Sequence, residues 1–88
     1  MNDLNPEFER AVAQSKRLSN RPDNPTLLKI YALYKQATQG DVTGDPPGFA
    51  DIVGRAKYQA WQNLQGLPME QAKRDYIAMI DRLAEDEF

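Results

Sequence analysis

Apolar residues recur along this chain at three- and four-residue spacing, in four blocks separated by breaks rich in proline and glycine. In the first block Phe8, Ala11, Val12, Ser15 and Leu18 share one side of a helix of about 6–18. Asn5-Pro6 reads as an N-cap followed by proline in the first turn, where its missing N–H is not needed, and Arg21-Pro22 bars any continuation. Asn24-Pro25 repeats that signal. Leu27, Leu28, Ile30, Tyr31, Leu33, Tyr34 and Ala37 then give a second helix, about 24–39, a wide apolar arc that stops at Gly40. Residues 41–50, which include Gly44, Pro46, Pro47 and Gly48, predict an ordered loop.

Asp51 is placed to cap a third helix, about 51–65, with Ile52, Val53, Ala56, Ala60, Trp61 and Leu64 as its apolar positions and Gly66 as its end. Leu67-Pro68 opens a fourth, about 68–86, whose inner stripe is Met69, Ala72, Tyr76, Ile80 and Leu83, with Glu70 near the positive end of the dipole. The tail 85–88 is expected to fray. No segment alternates with period two. The pattern therefore predicts an all-α, four-helix bundle forming one domain over residues 1–88.

Composition narrows what such a bundle does. Eighty-eight residues support one modest core. A formal net charge of −2 speaks against a nucleic-acid partner held by bulk positive charge. With neither cysteine nor histidine, disulfides, thiolate or imidazole metal sites and the usual nucleophile–histidine arrangements are excluded. Carboxylates, lysines and tyrosines remain as acids and bases, so a carboxylate-based hydrolase stays conceivable as the least favoured reading; the expectation is a protein that is not an enzyme and has no cofactor and no metal. The polar, acidic start Met1-Asn-Asp-Leu-Asn-Pro-Glu lacks a signal pattern, and no apolar run approaches the roughly 20 residues of a membrane span. A cytoplasmic location without membrane insertion is expected.

The remaining chemistry lies in Tyr31, Tyr34 and Lys35, at i, i+3 and i+4 of the second helix and so expected to project from one face, and in Arg55-Ala-Lys57-Tyr58-Gln-Ala60-Trp61 of the third. Phenol hydroxyls and ammonium groups suit a phosphate, and flat rings suit a base. Lys35 and Lys57, on different helices, can converge on one phosphate with the Tyr31 hydroxyl as a third donor; charge-assisted hydrogen bonds contribute about 1.5–3 kcal/mol each. Spacing alone fits core-edge tyrosines and solvated lysines as well, and leaves open a helical protein-interaction module with no small-molecule ligand.

The motifs carry more than spacing does. Tyr-x-x-Tyr-Lys-Gln-Ala-Thr-x-Gly-Asp over 31–41, Pro47-Gly48, Gly-x-Ala-Lys-x-x-Ala-Trp over 54–61, Gly66 and Tyr76-Ile77 resemble the acyl-CoA-binding protein family, from about Phe8 to Leu83. The resemblance implies a monomeric bundle that binds medium- to long-chain fatty acyl-CoA, performs no reaction and hands its ligand to acyl-CoA-using enzymes as an intracellular carrier or buffer. It places the CoA 3′-phosphate on Tyr31, Lys35 and Lys57, and a head-group cation at Lys16. It puts Phe8, Ala11, Val12, Leu27, Leu28, Tyr34 and Tyr76 along the ligand groove. Three positions depart from the family pattern: Val53 stands where lysine is frequent, Tyr58 replaces the first tryptophan of a pair, and Pro68 replaces a capping serine, leaving Leu67 as the cap.

Overall fold

The structure, a computed structural model, describes residues 3–85 and contains four α-helices with no strand among them. They are α1 (Asn5–Ser15), α2 (Asn24–Gln39), α3 (Ile52–Gln62) and α4 (Met69–Glu85). The periodicity thus locates every helix, while the ends differ for local reasons. The first helix stops at Ser15 rather than 18 because the N–H groups of Lys16 and Arg17 turn back to Ala13 and Gln14 in a tighter turn. The third stops at Gln62 rather than 65, where Leu64 and Gln65 bond three residues back to Trp61 and Gln62. The expected end of the fourth helix at 86, and most of the fraying tail, lie outside the described residues.

Three expected caps are corrected. Leu4, not Asn5, precedes α1, and it supplies no side-chain bond; Asn5 instead takes the Asp3 carboxylate on its N–H and accepts from Lys73 Nζ at 2.8 Å. Asp23, not Asn24, caps α2, its carboxylate accepting from Thr26 N–H at 2.9 Å. An anion at that place complements the positive helix end better than an amide does. Ahead of α4 the carbonyl of Pro68, not of Leu67, accepts the first helical bond, from Ala72 N–H. Asp51 caps α3 as expected, accepting from Gly54 N–H at 2.9 Å.

The central pair is α2 against α4; α1 packs on α4 and α3 packs on α2. Side-chain contacts give the directions. Asn5 meets Lys73 and Arg10 meets Asp81, so α1 and α4 run parallel. Tyr31 meets Lys57 and Lys35 meets Trp61, so α2 and α3 run parallel as well. Gly40 lies beside Met69 at one end of the α2–α4 pair, while Thr26 and Leu83 share a groove towards the other, so these two are antiparallel. Parallel neighbours need a long return connection. Residues 41–51 provide it, held along α3 by Tyr58 Oη donating to Gly44 O at 2.9 Å and Arg55 donating to Pro47 O at 2.8 Å.

The core is Phe8, Ala11, Leu33, Ala37, Ala72, Tyr76 and Ile80, where α1, α2 and α4 meet; Trp61 is buried where α3 meets α2. Three apolar positions expected on inner faces are exposed instead: Ile52 at 77%, Val53 at 64% and Met69 at 44%. The Cα trace is only 16 Å thick. With α3 packed on α2 alone, no further layer covers its first turn.

Candidate functional site

The face expected to carry Tyr31, Tyr34 and Lys35 together is split by helix geometry. At about 100° per residue, i+3 and i+4 fall on opposite flanks of position i. Tyr31 and Lys35 accordingly turn towards α3, whereas Tyr34 turns towards α1 and α4. Its ring stacks on Phe8 at 6.0 Å between centroids and lies 6.2 Å from that of Tyr76, and it remains 40% exposed. Phe8 and Tyr76 meet edge to face at 5.1 Å. Burial raises the Tyr76 phenol above its ordinary value of 10.0; a hydrogen bond with Ser15 opposes this and the neighbouring Tyr34 adds to it. Tyr76 is therefore a neutral hydroxyl at every physiological pH.

Across the α2–α3 seam each lysine rests on an aromatic ring of the opposite helix. Lys57 Nζ of α3 sits 5.3 Å from the Tyr31 ring centre, and Lys35 Nζ of α2 sits 4.8 Å from that of Trp61. These reciprocal contacts are worth about 0.5–1 kcal/mol each at exposed sites. They hold two ammonium groups on one seam with donors still free to turn to a ligand. Trp61 is fixed in turn by its indole N–H, which donates to Gly40 O at 2.8 Å.

Below Lys57 and Tyr31 an open groove of about 350 Å³ runs between the two helices. Arg21, Asn24, Leu27, Leu28 and Tyr31 form one wall, and Ile52, Val53, Ala56 and Lys57 the other. Four of the expected site residues, Tyr31, Lys57, Leu27 and Leu28, therefore share one cleft. Lys35 borders the same seam one turn further along α2. Lys16 is exposed in the turn after α1 and does not line this groove. Phe8 and Tyr76 are buried, Ala11 has no exposed surface and Val12 is half-buried; these four belong to the core or pack against it, so the α1 side of the expected groove is filled by protein here.

Arg21, Asn24, Ile52, Val53 and Ala56 line the groove without having been assigned to it from sequence. A signal existed for most of them: positions 24, 27, 28 and 31 share one face of α2, and 52, 53, 56 and 57 one face of α3, whereas Arg21 precedes the helix and carried none. Gln36 and Asp41, also unassigned, fix the far end of the seam. Buried Gln36 donates through Nε2 to Asp41 Oδ1 and to Leu67 O, both at 2.9 Å, and the same Asp41 oxygen accepts from Gly66 N–H at 2.8 Å. The Gly66 bond first, then that of Gln36, holds the Asp41 carboxyl below its ordinary value of 3.8. Among the described residues no group of histidine, cysteine or acidic side chains is arranged to hold a metal.

The fold and the seam define a small helical bundle whose open cleft joins apolar walls to cations and a phenol. Comparison with known protein families matches residues 5–80 to the family described as "Acyl CoA binding protein". Acyl-CoA-binding protein homolog 1 of Caenorhabditis elegans is 45% identical over 76 residues, covering 86% of this chain and 88% of the relative. Acyl-CoA-binding protein of Saccharomyces cerevisiae is 42% identical over 76 residues, covering 86% and 87%. The crystal structure of Oryza sativa acyl-CoA-binding protein 2 superposes with a TM-score of 0.90 at 38% identity, over 94% of this chain and 90% of that one. This chain belongs to the acyl-CoA-binding protein family. A further relative, enoyl-CoA delta isomerase 2 of Rattus norvegicus, is 44% identical over 78 residues, but these cover 89% of this chain and only 20% of the isomerase. The activity in that name belongs to a protein mostly unmatched here.

Proposed function

We propose that this protein binds fatty acyl-CoA esters and acts as their intracellular carrier. The observation that supports this best is the placing of Lys57 over Tyr31 at the mouth of an apolar cleft, a cation and a hydroxyl above walls of leucine, isoleucine and valine. In this reading Tyr31, Lys35 and Lys57 hold the 3′-phosphate of the CoA ribose, with Lys16 as an outlying cation. Leu27 and Leu28 line the tail's path, and Tyr34, Tyr76, Phe8, Ala11 and Val12 back it from the core side.

Magnitudes favour such a clamp. Turning a lysine from its contact with a ring at the protein surface, at about 0.5–1 kcal/mol, to a phosphate oxygen, at about 1.5–3 kcal/mol, is a net gain. Burying methylenes at about 0.8 kcal/mol each gives a 16-carbon tail on the order of 10 kcal/mol before ordering costs. The tail therefore dominates affinity and the phosphate clamp sets head-group identity. The protein works by sequestration: it binds as a monomer, hides the tail from water and catalyses nothing. Its place is the cytoplasm, where acyl-CoA-using enzymes receive the ester.

Isothermal calorimetry tests this. Palmitoyl-CoA is expected to bind much more tightly than free CoA, and free palmitate to bind weakly. A palmitoyl ester of dephospho-CoA, which lacks the 3′-phosphate, is expected to lose affinity. No heat and no thermal shift with palmitoyl-CoA would refute the reading, and equal binding of the dephospho ester would refute the clamp.

A further inference from the structure

Among the described residues the most exposed large apolar side chains lie close together in the chain. Phe49 is 86% exposed, Ile52 77% and Val53 64%, all within five residues at the join of the 41–51 connection and α3. Lone exposed apolar side chains need no explanation, but three clustered at the N-terminal tip of α3 do. Folding does not require them there, since none belongs to the core. Ile52 and Val53 also form the outer wall of the acyl-CoA cleft, so the tip is continuous with the cleft mouth.

We infer that this tip is a lipid-docking lip, through which the carrier touches a bilayer surface while its cleft takes up or releases the acyl chain. The inference rests on the proposed ligand, an amphiphile whose tail partitions into lipid when it is unbound. Three features favour a bilayer over another occupant. Phe49 lies outside the cleft, and Ile52 and Val53 in its outer wall keep most of their surface open, so all three suit a soft medium that closes around them; an aromatic beside aliphatic residues is the composition of interfacial anchors. Cations frame the patch: Arg21 and Lys57 in the cleft, and Arg55 bonded to Pro47 O. Of the nearby acids Asp45 and Asp51, the latter is occupied in capping Gly54 N–H. Finally, the patch is small beside the roughly 800 Å² that each partner gives to a stable dimer.

The contact is peripheral. No helix among the described residues is long and apolar enough to span, so the expectation of no membrane insertion is narrowed to no span. Apolar side chains carry the docking, with a modest contribution from the cations. Binding is thus expected on phosphatidylcholine vesicles and to strengthen a few-fold when a third of the lipid is phosphatidylserine.

The test uses ligand-free protein, so its failure is separate from failure of acyl-CoA binding. In vesicle flotation the native chain is expected to co-migrate with lipid, and Phe49→Asp to lose at least tenfold in bound fraction. The tryptophan introduced by Phe49→Trp is expected to shift its emission to the blue and to be quenched by brominated lipid, while buried Trp61 of the native chain responds little. Phe49 does not line the cleft, so Phe49→Asp is expected to keep the native affinity for palmitoyl-CoA in solution yet accept it several-fold more slowly from preloaded vesicles. Equal flotation of native and variant, flotation of neither, or an emission of the Phe49→Trp variant that lipid leaves unmoved would overturn the proposal. So would a native dimer in sedimentation that Phe49→Asp abolishes, which would assign the tip to a second copy of this chain.

Discussion

Helix α2 faces two ways, and its two sides are built on opposite terms. Towards α1 and α4 it meets Phe8, Ala11, Ala72, Tyr76 and Ile80 in a closed core. Towards α3 it carries half-buried Tyr31 under Lys57, rests Lys35 on buried Trp61, and borders a cleft open to solvent. Tyr34 serves the first side and Tyr31 the second, three residues apart. The closed side is filled by side chains and cannot admit a ligand without repacking, because interiors are close-packed. The open side forgoes that burial, and its cations rest on rings in contacts weak enough to exchange for a phosphate. Stability and binding are thereby assigned to different flanks of one helix.

The comparison breaks most readily on the closed side. Ile80 has no exposed surface, and Ile80→Ala is expected to cost about 2–5 kcal/mol in urea unfolding, against a few tenths for Ile52→Ala on the exposed wall. Comparable losses at the two sites would show that the flanks are not divided in this way. On the open side the readout changes. Lys57→Ala is expected to weaken palmitoyl-CoA binding by roughly 5- to 30-fold, the clamp bond less the ring contact it replaces, while lowering stability by under about 1 kcal/mol. Lys35→Ala follows the same rule, with Trp61 losing its cation.

The division also explains what was legible in the sequence. Four helices and the core positions Phe8, Ala11, Leu33, Trp61, Tyr76 and Ile80 follow from three-and-four spacing, because burial on one side imposes that period. Ile52 and Val53 carry the same apolar pattern yet lie open, since periodicity marks a face but not whether a partner helix covers it. The Tyr-Lys-Gln-Ala-Thr-x-Gly-Asp run identified the family as one unit, but its parts do different work. Tyr34 packs on the core side, Lys35 rides the seam, and Gln36, Gly40 and Asp41 tie the seam's far end to Trp61 and Gly66. A linear pattern does not separate these roles, because 100° per residue spreads adjacent positions around the helix. The cap of α2 was missed for a smaller reason: Asn and Asp are near equals at that place, and neighbouring Asp23 took it from Asn24.

A smaller effect tests what positions the cleft's outer wall. The Asp51 carboxylate that caps α3 fills the space a side chain on Gly54 would need. Gly54→Ala is expected to displace it and cost about 0.5–2 kcal/mol, the range for a lost cap. The first turn of α3 carries Ile52 and Val53, so palmitoyl-CoA binding should weaken in the same variant. Calorimetry and urea unfolding on one preparation read both; a stability loss with unchanged affinity would separate the cap from the wall.

The smallest effect concerns the latch between the flanks. Asp41 joins Gln36 of α2 to Gly66 before α4, and these bonds depress its carboxyl below 3.8 in the folded chain. A depressed folded value means that its contribution is fully present above 3.8 and is lost as pH falls through the lower folded value. Asp41→Asn is therefore expected to lower Tm at neutral pH, with the deficit shrinking as pH drops below 3.8. Asp23, depressed by its hydrogen bonds to Thr26, adds a parallel acid sensitivity that Asp41→Asn leaves in place. The variant's Tm should thus still fall with acid, but less steeply than the native chain's. If the two curves stay parallel through that range, the Asp41 carboxylate is not what holds the open flank to the closed one, and the neutral amide bonds of Gln36 to Leu67 carry the latch instead.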